Sequence, residues 1–158
     1  MSSYSINDIS RSADRHKLYI LSCNPDELSE RISFIQTNNI SAINIGKELS
    51  MFIGELGDYS YLNMDVFDFT MKLLEDGKAK INGSGNDVVA IYNLGILLEP
   101  TLELNAAQLI KEFSKSTALI IIWENLTDYP DVLSWSTQKN TYSLDFTDTQ
   151  IKKLQYAI

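Results

Sequence analysis

The sequence predicts an α/β fold: a three-layer sandwich with helices on both faces of a mostly parallel sheet of about five strands. Three observations predict it. Short apolar runs alternate with amphipathic stretches along the whole chain. The runs VVAIY and TALIIIW, opening at Val88 and Thr117, are apolar without alternation, as in strands buried on both faces. The 158 residues, 44% hydrophobic and 22% charged, suit one domain with its own core.

Residues 1–16 are polar, hold no apolar signal core and read as a lead-in; a single domain is expected over 17–158. Residues 17–23 (KLYILSC) predict the first strand. Asn24-Pro25-Asp26-Glu27 predicts a helix start, with Asn24 as N-cap and Pro25 first in the helix. Asp26 and Glu27 suit the positive end of the helix dipole, and Leu28, Ile32 and Ile35 follow at helical spacing as far as about Asn39. Residues 40–45 predict a second strand. A helix over 47–56 follows, with Leu49, Phe52, Ile53 and Leu56 as its apolar stripe and Gly57 as its stop. Asn63 is expected to cap a helix over 64–76, and NGSGND at 82–87 is the clearest loop.

A third strand opens residues 88–98, with a turn near Asn93 to Gly95. Asn105 is expected to cap a helix over 106–115, and 117–123 form the most hydrophobic strand. Residues 124–140 read as an irregular polar and aromatic excursion. A last strand over 141–146 and a short final helix from Asp148 to Tyr156 complete the chain.

Composition excludes several classes of function. One cysteine, Cys23, forbids an intrachain disulfide and suits a reducing cytoplasm. No apolar run reaches transmembrane length, so no membrane partner is expected. The net charge is −8 and the 13 basic residues are scattered, which disfavours direct nucleic-acid binding.

In such sheets ligands bind outside the carboxyl ends of the strands. Those ends are Ser22 to Glu27, Ile45 to Lys47, Tyr92 to Gly95, and Glu124 with Asn125. The strand–helix order is that of a P-loop NTPase, but the chemistry is missing. A P-loop needs a glycine-rich turn whose amides wrap a phosphate, a lysine, and a Ser or Thr for magnesium. Ser22-Cys23-Asn24-Pro25-Asp26-Glu27 offers no glycine and no lysine, Pro25 removes a donor, and two carboxylates would repel an anion. The turn after the third strand needs an aspartate for magnesium and offers Tyr92 and Asn93. No catalytic residue, cofactor or metal site is therefore assigned, and Ser22, Cys23, Asn24, Tyr92, Asn93 and Glu124 are read as a vestigial ligand face. Cys23 reads as an inert thiol, because a cysteine-phosphatase pattern would need arginine where Ser29 stands. The lone His16 has no nucleophile or metal-ligand spacing beside it, and Asp128 with Asp131 reads as a solvated loop pair near Pro130. Trp123, Tyr129, Trp135 and Tyr142 cluster in the last third and are candidates either for partner contact or for lids over a sheet end.

The block from Tyr92 to Leu126, YNLGILLEPTLELNAAQLIKEFSKSTALIIIWENL, resembles the central block of BrxF, the small P-loop-containing protein of BREX phage-defence systems. The matching features are Glu99-Pro100, the spacer 102–105, Leu109, residues 113–115 and the strand closing on Trp123. The resemblance implies a bacterial antiviral-defence protein. The replaced phosphate turn and acidic turn make this chain a degenerate member, a pseudo-ATPase whose nucleotide residues do not carry over. Its expected partners are other proteins of the defence system, with self-association open. Two alternatives stay open: a nucleotide-binding or hydrolysing protein with a nonstandard site, perhaps around Ser22, Asn93 and Glu124, and an oligomerising scaffold or nucleic-acid adaptor.

Overall fold

The computed structural model describes residues 3–124, 132–136 and 141–156. A mixed, mostly parallel sheet of seven strands forms its centre. Strand β1 is Ser3–Tyr4, β2 Leu18–Ser22, β3 Ala42–Asn44, β4 Ala79–Lys80, β5 Asp87–Tyr92, β6 Ala118–Trp123 and β9 Lys152–Leu154. They run in the order β1-β9-β2-β6-β5-β3, and β4 pairs antiparallel with β5. Every other pairing in this sheet is parallel. Strands β7 (Val132–Ser136) and β8 (Thr141–Asp145) form a separate antiparallel hairpin.

Strand β6 is buried along its whole length, as its unbroken apolar sequence demands. Its side chains alternate between two cores. On one face Leu119, Ile121 and Trp123 join Leu18, Ile20, Val89 and Ile91 beneath three helices: α3 (Ile45–Glu55), α4 (Leu62–Gly77) and α5 (Ala106–Phe113). Leu133 and Leu144 of the hairpin belong to this core too. On the other face Ile120 and Ile122 join Tyr19, Leu21, Val88 and Ala90 beneath α1 (Ile6–Arg11) and α2 (Leu28–Thr37). Helices thus cover both faces, giving three layers.

Within residues 3–16, read as a lead-in, lie β1 and α1. Ser5 and Asp8 form a reciprocal capping box for α1, and β1 pairs with β9 at the sheet edge. Three expectations are corrected. Residues 132–136 are a strand rather than part of an irregular excursion. The strand at 141–145 lies in the hairpin and not in the main sheet. The expected final helix is replaced by β9, which lies parallel to β2 on its outer side. Gln150, at φ 61°, breaks any helix before it starts, and Asp148 pairs with Lys111 of α5 at 3.0 Å instead of capping.

Helix α1 is held at its far end by the 82–86 loop. The Asn86 side chain donates to the carbonyls of Ile9 and Ser12, and its backbone N–H donates to that of Ser10. Gly85 makes this approach possible: its φ is +84°, and a Cβ there would collide with the Ser10 carbonyl.

Candidate functional site

Connections leave neighbouring strands β2 and β6 toward opposite faces of the sheet. The chain passes from β2 into α2 on one face, and from β6 into the β7–β8 hairpin on the other. The carboxyl ends of β2 and β6 therefore flank a topological switch point, the usual ligand position in an open α/β sheet. Ser22 stands opposite Trp123 in register, and the Cys23 N–H donates to the Trp123 carbonyl at 2.9 Å.

After Cys23 the chain closes on itself. Pro25–Glu27 form one 3₁₀ turn that leads into α2, and the Glu27 N–H donates to the Asn24 carbonyl at 2.9 Å. The Asn24 N–H donates in turn to Glu27 Oε1 at 3.0 Å. The other carboxylate oxygen, Oε2, lies 3.3 Å from Arg31 Nη2, one helical turn on. The Arg31 guanidinium stacks over the Tyr156 ring, 3.8 Å from its centroid. The Asn24 hydrogen bond holds the Glu27 carboxyl below the usual range, and Arg31 adds to this. The Asn24 N–H is thus already occupied by an anion of the chain's own.

The predicted cap is correct: Asn24 is the N-cap, and the Glu27 carboxylate adds to it by accepting the Asn24 N–H. Sequence reasoning placed Glu27 as a dipole partner and as a carboxylate that would repel an anion, and missed Arg31 and Tyr156. The signals were the three-residue spacing from Asn24 to Glu27 and the four-residue spacing from Glu27 to Arg31.

Cys23 is 1% exposed. Burial pushes its thiol up; Arg31 opposes this, and the carboxylates of Glu27, Glu124 and Asp26 reinforce it. A thiolate nucleophile is disfavoured by both solvation and charge. The three carboxylates outnumber the one guanidinium around Cys23. Among the described residues no group of three His, Cys, Asp or Glu is placed to hold a metal ion.

At the end of β5, Tyr92 stands opposite Asn44 in register. Asn93 adopts φ 58°, and its Nδ2 donates to Asn44 Oδ1 at 2.8 Å. That same oxygen caps α3 by accepting the Lys47 N–H at 3.0 Å. Gly46 lies so close beneath Asn93 that a Cβ there would collide with the Asn93 amide. Asn93 is therefore a strut between β5 and α3. Asn63 likewise does not cap α4; its side chain donates to the carbonyls of Leu102 and Glu103.

Of the four aromatics, Trp123 is buried rather than at the surface. It is 5% exposed, sits in the core with Leu133 and Leu144, and has no hydrogen-bond partner for its indole N–H among the described residues. Tyr142, half-buried, stands opposite Trp135 in the hairpin register. Tyr129 lies outside the described residues, as do Asn125, Asp128 and Asp131. Glu124 follows β6 at a half-buried bend. His16 sits against the end of α5, with Nδ1 3.2 Å from the Lys111 carbonyl oxygen.

No family model matches the chain, and no curated protein or solved structure matches it either. Among the described residues no helix is long and apolar enough to cross a membrane.

Proposed function

We propose that this chain is a non-catalytic, P-loop-like subunit of a cytoplasmic bacterial anti-phage defence system, acting through contacts with other proteins of that system. The observation that carries this reading is the closed turn at Asn24–Glu27. An ancestral phosphate turn presents free backbone amides to an anion. Here Pro25 has no N–H, and the Asn24 N–H is held by Glu27. An incoming phosphate would have to displace a carboxylate that is itself paired with Arg31, and would meet Asp26 and Glu124 beside it.

Three further features support the reading. The parallel strands run β9-β2-β6-β5-β3, which puts the loop after β2 at the switch point where nucleotide-binding α/β folds hold phosphate. The acidic turn after β5 is replaced by Asn93, already engaged in joining β5 to α3. The defence assignment rests on the resemblance of the 92–126 block to BrxF.

The experiment is a phage challenge of the native host with the gene deleted, set beside a chain carrying Glu27→Ala. Deletion is expected to abolish protection, and the variant to retain it, because no nucleotide chemistry is lost. Unchanged plating on the deletion strain would refute the defence role.

A further inference from the structure

The described surface hides its large apolar side chains well, with one exception. Met51, Tyr59, Tyr61, Met64 and Phe67 are the exposed ones, and all fall within residues 51–67. Tyr59, Tyr61 and Met64 are 56%, 67% and 62% exposed. They line one cavity of about 350 Å³ between the start of α4 and the segment Thr101 to Glu103. Phe67 lies one turn along α4 from Met64. The scaffold beneath is rigid: Phe52 of α3 stacks on Phe69 of α4 with ring centroids 4.1 Å apart, and Asn63 ties α4 to the Leu102 and Glu103 carbonyls. Large exposed aromatic and methionine side chains around a cavity mark a contact surface.

Charge identifies the occupant. Residues 48–71 and 93–110, which build this region, hold seven carboxylates and no Lys, Arg or His. Asp58, Asp65, Asp68 and Glu103 lie in the cavity lining or within four residues of it in the chain, and none of them forms an ion pair among the described residues. Hydrogen bonds from Ser60 hold Asp58 below the usual carboxylate range, so it stays charged. A second copy docking through the same face would set these carboxylates against their own kind. A basic segment would neutralise them while its apolar side chains fill the cavity.

We propose that the tip of the α3–α4 hairpin docks a basic, amphipathic segment of a partner protein, with Tyr59, Tyr61 and Met64 receiving its apolar anchors and Asp58, Asp65, Asp68 and Glu103 its cations. This rests on the protein-contact half of the proposed function and supplies its surface. It is separate from the closed turn at the carboxyl edge of the sheet, so a nucleotide test that sinks the pseudo-ATPase reading leaves this docking test to stand or fall by itself.

The test is fluorescence anisotropy of a labelled helix-forming peptide of Lys, Leu and Trp, titrated with the full chain. The same peptide with every Lys replaced by Glu is the control. Saturable binding of the basic peptide alone is expected. Tyr61→Ser with Met64→Ser should weaken it about tenfold or more, as for hot-spot residues. Asp65→Asn with Asp68→Asn should weaken it too, and should flatten its salt dependence. Tyr61, Met64 and Asp68 are exposed and Asp65 is half-buried in the first turn of α4, so the variants should stay folded, which thermal melting checks. No binding by the wild-type chain overturns the proposal. So does undiminished binding by the Tyr61/Met64 variant, which would mean bulk charge attraction. Equal binding of the Glu peptide overturns it, as does a wild-type dimer in light scattering that the same substitutions dissolve.

Discussion

The Glu27 carboxylate accepts the Asn24 N–H at 3.0 Å and so fills, from within the chain, the anion position at the start of α2. Its second oxygen faces Arg31 at 3.3 Å. A group whose folded-state pKa is depressed stabilises the fold in full above its ordinary value, and that stability is lost as pH falls through the folded value. Glu27 is such a group, with an ordinary value of 4.5. Glu27→Gln should therefore lower the melting temperature at pH 7. The gap to wild type should close as the buffer is taken well below pH 4.5. Melting curves between neutral and acidic pH check this; a gap that widens in acid would contradict it. The wild-type chain should itself lose stability in acid, since Lys152 holds Asp14 low and Lys111 holds Asp148 low in the same way.

Gly85→Ala should destabilise the fold by at least about 1 kcal/mol, through the positive φ and the collision with the Ser10 carbonyl together. Gly83 is the internal comparison. Its φ is +74°, but nothing lies within 4 Å of a Cβ there, so Gly83→Ala should cost clearly less. Urea midpoints of the two variants decide it, and equal losses would mean that the latch on α1 adds nothing.

Leu133 sits in the core beneath α5 although its strand belongs to the separate hairpin. Leu133→Ala should cost about 2–5 kcal/mol, and Ser134→Ala, on the exposed side of the same strand, almost nothing. Near-equal effects would show that the hairpin is an appendage rather than a wall of the core.

Cys23 should be inert. In the native chain its alkylation at neutral pH should be slower than in urea by at least about tenfold, because the thiol is buried and its pKa is raised. Rapid native labelling would reopen the thiol chemistry.

The central strands were legible because they are buried on both faces. Residues 118–123 admit no reading but a core strand, and the cap at Asn105 was equally plain. The misread parts are the ones where a few residues carry no period. Lys152–Leu154 is three residues long, and Ile151 with Leu154 looks like one helical turn until β2 is known to need an outer neighbour. Helix α1 has six residues, too few to be stable without its contacts to the 82–86 loop. At the candidate site the turn and its N-cap Asn24 were readable; that Glu27 returns to the Asn24 N–H depends on the backbone at Asn24, extended at φ −76°, ψ 156°. Trp123 was placed correctly at a strand end; that it is buried there was not readable, because sequence does not say which face of the sheet the hairpin covers.

The most direct measurement is isothermal titration of the purified chain with ATP and GTP in the presence of magnesium, run in parallel on Glu27→Ala. The closed turn predicts no saturable heat for the wild-type chain with either nucleotide, and none for the variant, since Pro25 and Asn93 still withhold what a nucleotide needs. Saturable micromolar binding by the wild-type chain would contradict the account.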